Sequence, residues 1–261
     1  MTTEPRTLPH VGDDETFVEK LKHAVPVPYV QKVVIGDAVL YQGEVLQVLP
    51  LLPTVDLVIA DPPYGIGEAR ANHKSRNRVR GGAAIISPDY GKSDWDDKTP
   101  EAEEMAATIA AGKNCIVWGA NHIGMPSASK WLCWDKLNSG DFADCELAWS
   151  NLPGAVRIFR HMWNGMLRDS ERDTPRVHPT QKPIALMAWC IEQAGKPQSI
   201  GEPWMGSAPA GCAAVSLGLP YWGIERDPRN FDIACKRIEQ AHAQGQLFAP
   251  EQPKQLQEAL L

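Results

Sequence analysis

Apolar positions along this 261-residue chain fall into short β-branched runs closed by turn residues, alternating with longer stretches at helical spacing. Leu57-Val58-Ile59-Ala60 is an unbroken apolar run ended by Asp61-Pro62-Pro63-Tyr64, the pattern of a strand buried on both faces of a parallel sheet. Lys32 to Ile35 predicts an earlier strand that ends in Gly36-Asp37. Val39 to Leu52 then carries apolar residues at roughly helical spacing until Pro53 stops it, which predicts a β-α-β unit leading into Asp61. Further strands are predicted at Cys115 to Gly119, Trp131 to Trp134, Cys145 to Trp149, Ser199 to Glu202 and Tyr221 to Glu225. Helices are predicted over Glu15 to Ala24, Pro100 to Ala111, Ile184 to Ala194, Cys212 to Leu217, and from Asp227-Pro228 to about Ala243. The alternation predicts a single α/β domain with a mostly parallel sheet at 31–243, flanked by an extension at 1–30 and a Gln- and Pro-rich tail at 244–261.

Periodicity is lost in two places, 67–100 and 152–177. The first holds Arg70, Lys74, Arg76, Arg78, Arg80 and Lys92 against only Glu68 and Asp89. The second interleaves Arg157, Arg160, His161, Arg168, Arg172 and Arg176 with Trp163 and Asn164. Long aperiodic loops inside compact domains usually carry function, and Arg and Lys beside aromatic rings suit phosphate contact and base stacking. The formal net charge of −6 argues against a uniformly basic nucleic-acid coat but leaves room for such a local basic groove. Six cysteines lie far apart with no Cys-x-x-Cys pair, so free thiols are expected rather than disulfides or a zinc site. No apolar run approaches membrane-spanning length and the first residues lack the pattern of a signal peptide; a soluble, cytoplasmic protein without a metal is expected.

Candidate chemistry sits at the strand ends. Two successive prolines remove two backbone donors and leave a rigid ledge of carbonyl acceptors. Asp61 adds a carboxylate and Tyr64 a flat ring, so the tetrapeptide suits a planar ring bearing an exocyclic amine; a capped strand end with a packed tyrosine is the plainer alternative. Asn121, Asp135-Lys136 and Asp144 follow or flank other strand ends. Near the C-terminus, a strand, a Gly-containing turn at Glu202 to Gly211, a helix and a second strand ending on Glu225 form a nucleotide-cofactor pattern. The absence of G-x-G-x-x-G argues against a dinucleotide pyrophosphate site.

Taken together, Asp61-Pro-Pro-Tyr64, His178-Pro-Thr-Gln-Lys-Pro183 and Glu202-Pro-Trp-Met-Gly-Ser207, in that order, resemble the β-type DNA amino-methyltransferases, and Trp131 to Trp149, with Asp135-Lys136 after Trp134 and Asp144-Cys-Glu-Leu-Ala-Trp149 at its end, resembles the small modification methylases of phages and prophages. The resemblance covers about residues 32 to 242. It implies a Rossmann-like S-adenosylmethionine-dependent fold, a seven-stranded sheet and a circularly permuted motif order. It implies methylation of the N6 amine of a flipped adenine in double-stranded DNA, with N4-cytosine methylation or an inactive DNA-binding relative as alternatives. Pairing with a second copy and a role in restriction-modification belong to the same expectation. In this reading Asp61, Pro62, Pro63 and Tyr64 are catalytic, with Tyr64 stacking on the base. S-adenosylmethionine would be held by Asp37 at its adenine and Glu225 at its ribose, with Asp61, His178, Thr180, Gln181, Lys182, Glu202, Pro203, Trp204, Gly206, Ser207 and Asp227 around it. DNA would meet Arg70, Lys74, Arg76, Arg78, Arg80, Arg157, Arg160 and Arg168. The family loop usually continues Gly-Ser-Gly-Thr-Thr-Gly, whereas this chain has Ala208-Pro209-Ala210 after Gly206-Ser207, which places a methyl group and a missing N–H at the cofactor turn.

Overall fold

The computed structural model describes residues 28–67, 78–80, 83–85, 96–137, 143–164, 167–174, 176–178 and 180–247. The first predicted helix, the tail beyond Leu247 and Arg70, Lys74 and Arg76 lie outside the described residues; 244–247, expected in the tail, continue the last helix.

The central strand is β3 (Val55–Ala60), and its alternation explains the layering. Leu57 and Ile59 face one core while Val58 and Ala60 face a second core on the opposite side. Both faces of β3 are therefore dry, as its unbroken apolar run requires. Helices α3 (Ile184–Gln193), α4 (Pro209–Ser216) and α5 (Pro228–Leu247) cover the first face through Leu186, Met187, Cys190, Phe231 and Ile238. The short α1 (Val45–Val48) and α2 (Ala102–Ala110) cover the second through Val45, Val48 and Met105. This is a three-layer α/β architecture.

The sheet has nine strands among the described residues, not seven, in the order β1-β2-β13-β12-β3-β6-β8-β7-β9. Here β1 is Gln31–Ile35, β2 Ala38–Gln42, β6 Gly112–Trp118, β7 Trp131–Asp135, β8 Cys145–Ser150, β9 Arg157–Arg160, β12 Ile200–Glu202 and β13 Tyr221–Glu225. The five strands from β2 to β6 run parallel, while β1-β2, β6-β8 and β7-β8 are antiparallel and β7-β9 is parallel. Strand β12, late in the chain, pairs directly with β3, early in the chain. The ends of the two motif-bearing strands are thereby neighbours.

Two expectations change. Val39 to Leu52 is not one helix: Ala38 and Leu40 are buried at a period of two in β2, and only Val45–Val48 and a 3₁₀ turn at Leu49–Leu51 are helical. Gly36-Asp37 is the two-residue turn of the β1-β2 hairpin, with Gly36 at φ +55° as the first turn position demands. Residues 152–177 also contain sheet. Strand β9 is an edge strand with three exposed residues of four, so it carries no apolar alternation to betray it. A two-stranded hairpin, β10 (Trp163–Asn164) with β11 (Leu167–Arg168), follows it. Within 67–100, backbone pairing joins β4 (Arg78–Arg80) to β5 (Ala83–Ile85). No helix among the described residues is long and apolar enough to cross a membrane.

Close packing of β12 on β13 depends on Gly201, where a Cβ would overlap the Trp222 indole. Gly201→Ala should cost about 1–3 kcal/mol through overpacking, read as a lowered urea midpoint with unchanged slope. The penalty should shrink in a Trp222→Leu background, which removes the ring.

Candidate active site

A cavity of about 390 Å³ opens at the carboxyl ends of β2, β13, β12 and β3, where parallel α/β sheets bind ligands. Each strand end delivers its own segment to the lining. Strand β2 contributes Gly43, Glu44 and Val45, β13 contributes Glu225 and Arg226, β12 contributes Glu202 to Ser207, and β3 contributes Asp61 and Pro63. His178, Thr180, Gln181 and Lys182 close one side and Asp97 to Glu101 another. Among the lining side chains are seven carboxylates, Glu44, Asp61, Asp97, Glu101, Glu104, Glu202 and Glu225, against the cations Lys98, Lys182 and Arg226. A cationic ligand is favoured in such a field.

Lys182 is the hub of the side bordered by β3. Its ammonium is almost fully buried; it donates to Asp61 Oδ1 at 2.5 Å and to the Tyr64 hydroxyl at 2.9 Å, and it is ion-paired with Glu146 Oε2 at 3.3 Å. Tyr64 donates its own hydroxyl to Asp61 Oδ1 at 2.7 Å, and Glu146 Oε1 is ion-paired with Lys136. Both donors to Asp61 converge on Oδ1, so Oδ2 receives no hydrogen bond from the described residues. Burial pushes the Asp61 carboxyl above its ordinary range, against the pull of Lys182. Burial acts in the same sense on Glu146, but Lys182 and Lys136 outweigh it and bring that carboxyl down to about 2. For Lys182 burial opposes the charge, and Asp61 and Glu146 prevail, holding it above the usual lysine value.

Tyr64 follows the Pro-Pro ledge. Its ring does not line the cavity; it stacks on the exposed His122 ring at 5.3 Å between centroids and packs against Gly119, where a Cβ would overlap it. Its backbone N–H and that of Gly65 donate to the buried Asp96 at 2.8 and 3.0 Å, which fixes the turn after the Pro-Pro ledge. Pro62 is buried under that turn.

The turn from Glu202 to Ala208 is held from beneath by two acids. Glu225 accepts the backbone N–H of Gly206 at 2.9 Å and of Asp227 at 2.7 Å, and burial raises its carboxyl to about 7. Glu202 turns inward and accepts from Ala210 N, Gly211 N and the Tyr221 hydroxyl, and burial raises it to about 8. Ala208 takes a left-handed conformation, φ +52°, with its side chain buried, and Pro209 stands at the first position of α4, where a missing N–H costs nothing. The cavity stays open with Pro209 in its wall. Arg237 of α5 donates to Ser207 O at 2.5 Å and to its Oγ at 2.9 Å, and it also pairs with Glu171 at 3.1 Å. Glu171 in turn accepts Ile184 N at 3.0 Å, so the 152–177 arm, the start of α3 and the Ser207 turn are latched together.

Most of the residues expected around a cofactor meet here, with two exceptions. Asp37 lies at the opposite edge of the sheet, beside the first residue of β13, and does not line the cavity. The acid that β2 brings to the cavity is Glu44. Gly43-Glu44 repeats the Gly-acid pair seven residues on, but it falls inside the stretch whose apolar spacing reads as one helix, so nothing local in the sequence singles it out. Asp227 stands behind the wall and caps α5 through Arg229 N and Asn230 N. His178 and Gln181 line the cavity but also brace their own loop. Burial lowers His178 to about 3, which keeps it neutral, and Gln181 accepts Val177 N at 3.0 Å. Of the residues expected to meet DNA, Arg157 and Arg160 are exposed on β9, and Arg168 lies over the Trp163 ring at 5.3 Å. The side chains of Arg78 and Arg80 lie outside the described residues.

No protein-family profile matches the chain. A Type II methyltransferase of Lactococcus lactis subsp. cremoris, M2.LlaDCHI, is 23% identical over 266 aligned positions, covering 84% of this chain and 94% of that protein. Among solved structures, the PvuII DNA methyltransferase, a cytosine-N4-specific enzyme, aligns with a TM-score of 0.50 and 11% identity over 83% of this chain and 96% of its own. The M1.HpyAVI–SAM complex aligns with a TM-score of 0.47 and 21% identity over 76% and 98%. The chain shares the α/β Rossmann-like fold of the methyltransferases.

The raised carboxyls make stability pH-dependent in a defined direction. Glu202 binds its proton more tightly folded than unfolded, so its contribution is complete below about pH 4.3, falls as pH rises and is lost above about 8. In urea unfolding of the ligand-free protein, stability should decline between those limits. Glu202→Gln, which keeps an acceptor for α4 and a donor for Tyr221, should flatten that decline.

Proposed function

We propose that the chain is a DNA methyltransferase that moves a methyl group from S-adenosylmethionine to the exocyclic N6 amine of a flipped adenine, as the modification partner in a restriction-modification setting. The observation that carries this reading is the Asp61 carboxylate, anchored through Oδ1 by Lys182 and Tyr64 and open at Oδ2, at the edge of an acid-lined cavity. The full-length relatedness to a Type II methyltransferase supports the activity.

The cavity fits the donor by its chemistry: an acidic lining suits a ligand that carries a sulfonium and an ammonium charge, and two backbone-braced turns frame it. Bound there, S-adenosylmethionine supplies a methyl group already activated by its positive sulfur. Glu44 would face the adenosine end beside Glu225, and the Gly206-Ser207 turn the methionine end. Asp61 Oδ2 and the Pro62 carbonyl would each accept one hydrogen of the target amine, turning the nitrogen lone pair toward the methyl group. The amine nitrogen so oriented would displace the methyl group from sulfur, which would keep the bond's electron pair, and would give up one proton toward Asp61 or solvent. The base would take the face of Tyr64 that the exposed His122 ring now covers. Arg157 and Arg160 on β9 and the basic segment around Arg70 to Arg80 would meet phosphates. The Asp-Pro-Pro-Tyr form of the tetrapeptide favours adenine. The geometry needs only an exocyclic amine, which keeps N4-cytosine as the second reading, and an enzyme named for that chemistry shares the fold.

Nucleoside analysis of DNA from cells expressing the protein should reveal N6-methyladenine; N4-methylcytosine would select the second reading, and no modified base would defeat both. Asp61→Ala should abolish transfer while titration calorimetry still detects donor binding. In the same calorimetry, Glu44→Ala should weaken the donor about tenfold, roughly 1.4 kcal/mol, and Asp37→Ala should leave it unchanged. Absence of donor binding by the wild-type protein would assign it to the inactive, DNA-binding class.

A further inference from the structure

Glu146 has no part in the reading above, yet it completes the polar cluster behind Asp61. It comes from β8, on the antiparallel side of the sheet, and reaches the ammonium of a lysine that precedes α3. Its Oε2 is ion-paired with the Lys182 ammonium at 3.3 Å and lies 3.4 Å from the Tyr64 hydroxyl, while its Oε1 is ion-paired with Lys136, which follows β7. Four charged groups thus alternate in sign from Asp61 through Lys182 and Glu146 to Lys136. A buried ammonium facing a single carboxylate can follow it; one facing two is held at a fixed point between them.

We infer that Glu146, backed by Lys136, is a positioning residue for methyl transfer: it fixes the Lys182 ammonium, and with it the direction in which Asp61 presents its unbonded Oδ2. The inference rests on the proposed role of Asp61. Glu146 touches neither donor nor base and acts through Lys182 and Tyr64. A merely structural ion pair would contribute to folding alone. A positioning residue must also change how Asp61 titrates and how fast the bound substrate reacts.

The groups that face Asp61 set the direction. Lys182 stands ahead of α3, Tyr64 lies on its own turn, Glu146 comes from β8 with Lys136 behind it, and Glu202 approaches from β12. Of these, Lys182 favours the Asp61 carboxylate, and Glu146 opposes it directly while drawing on the same ammonium. Removing the Glu146 charge therefore leaves Lys182 to Asp61 alone and lowers the pH at which Asp61 ionises. Removing the Lys182 charge does the reverse.

The test compares wild type, Glu146→Gln, Glu146→Asp and Lys182→Met. In single-turnover methyl transfer to DNA, Glu146→Gln should slow the reaction by about tenfold or more, with donor affinity by calorimetry unchanged, since small displacements of a reacting group are expensive in rate. The acid limb of its pH-rate profile should move to lower pH, and that of Lys182→Met to higher pH. Glu146→Asp should restore the limb with part of the rate. A loss of rate that follows only the loss of folded protein, with the limb unmoved, would overturn the inference. So would wild-type kinetics in Glu146→Gln. An independent arm follows the Asp61 carboxyl by carbon-13 NMR in ligand-free wild-type and Glu146→Gln protein. A downward shift in the variant supports the positioning role, and no shift overturns it. This arm tests the coupling of Glu146 to Asp61 by itself, even if the wild-type protein methylates no DNA, an outcome that would remove the proposed function and the role in transfer that rests on it.

Discussion

The shared ammonium of Lys182 is the constraint on which the site depends. A lone charge buried to this degree would be expelled or neutralised, and a single ion pair in the interior often fails to repay the desolvation of both partners. Here the ammonium donates to Asp61 and to the Tyr64 hydroxyl, and its charge is divided between Asp61 and Glu146. The cluster ties residue 61 just past β3, residue 146 on β8 and residue 182 ahead of α3 into one rigid corner. It also explains why Tyr64 points its hydroxyl inward: the phenol is the third member of the hydrogen-bond set on Asp61 and Lys182, and Gly119 supplies the room for its ring.

The opposite wall of the cavity solves a different problem, the support of a tight turn without its usual glycines. Glu202 reaches past the turn to the first available N–H groups of α4 at Ala210 and Gly211. Pro209, which has no N–H to offer, sits where none is missed, and the left-handed Ala208 turns its methyl group into the core rather than toward the ligand. The acid, the alanine and the proline therefore act as one arrangement. Glu225 and Arg237 brace the same turn from below, and through Glu171 the brace extends to the arm that carries β9.

The strand runs that are dry on both faces were legible from composition alone, because burial on two sides leaves an unbroken apolar run at 57–60 and 115–118. The edge elements were not. Strand β9 shows Arg157, Ile158 and Arg160 to solvent, and the β1-β2 hairpin places a strand where apolar spacing alone resembles a helix. The same hairpin misled the reading of Asp37: two Gly-acid pairs stand seven residues apart, and only the parallel pairing of β2 with β13 reveals that the second pair reaches the ligand edge.

The sequence by itself determined the class of architecture, the order of the motifs and the residue types at the strand ends, because those depend on local periodicity and on chemistry carried within a few residues. Tertiary structure alone decided which acids face the cavity, which way Tyr64 and Glu202 point, and that Glu146 completes the Lys182 cluster. Those outcomes depend on strand register and on partners more than a hundred residues apart in some cases, such as Lys182 and Asp61. A side chain's direction there is set by which donors and acceptors the sheet order brings within hydrogen-bond reach, and no local pattern in the chain encodes that distance.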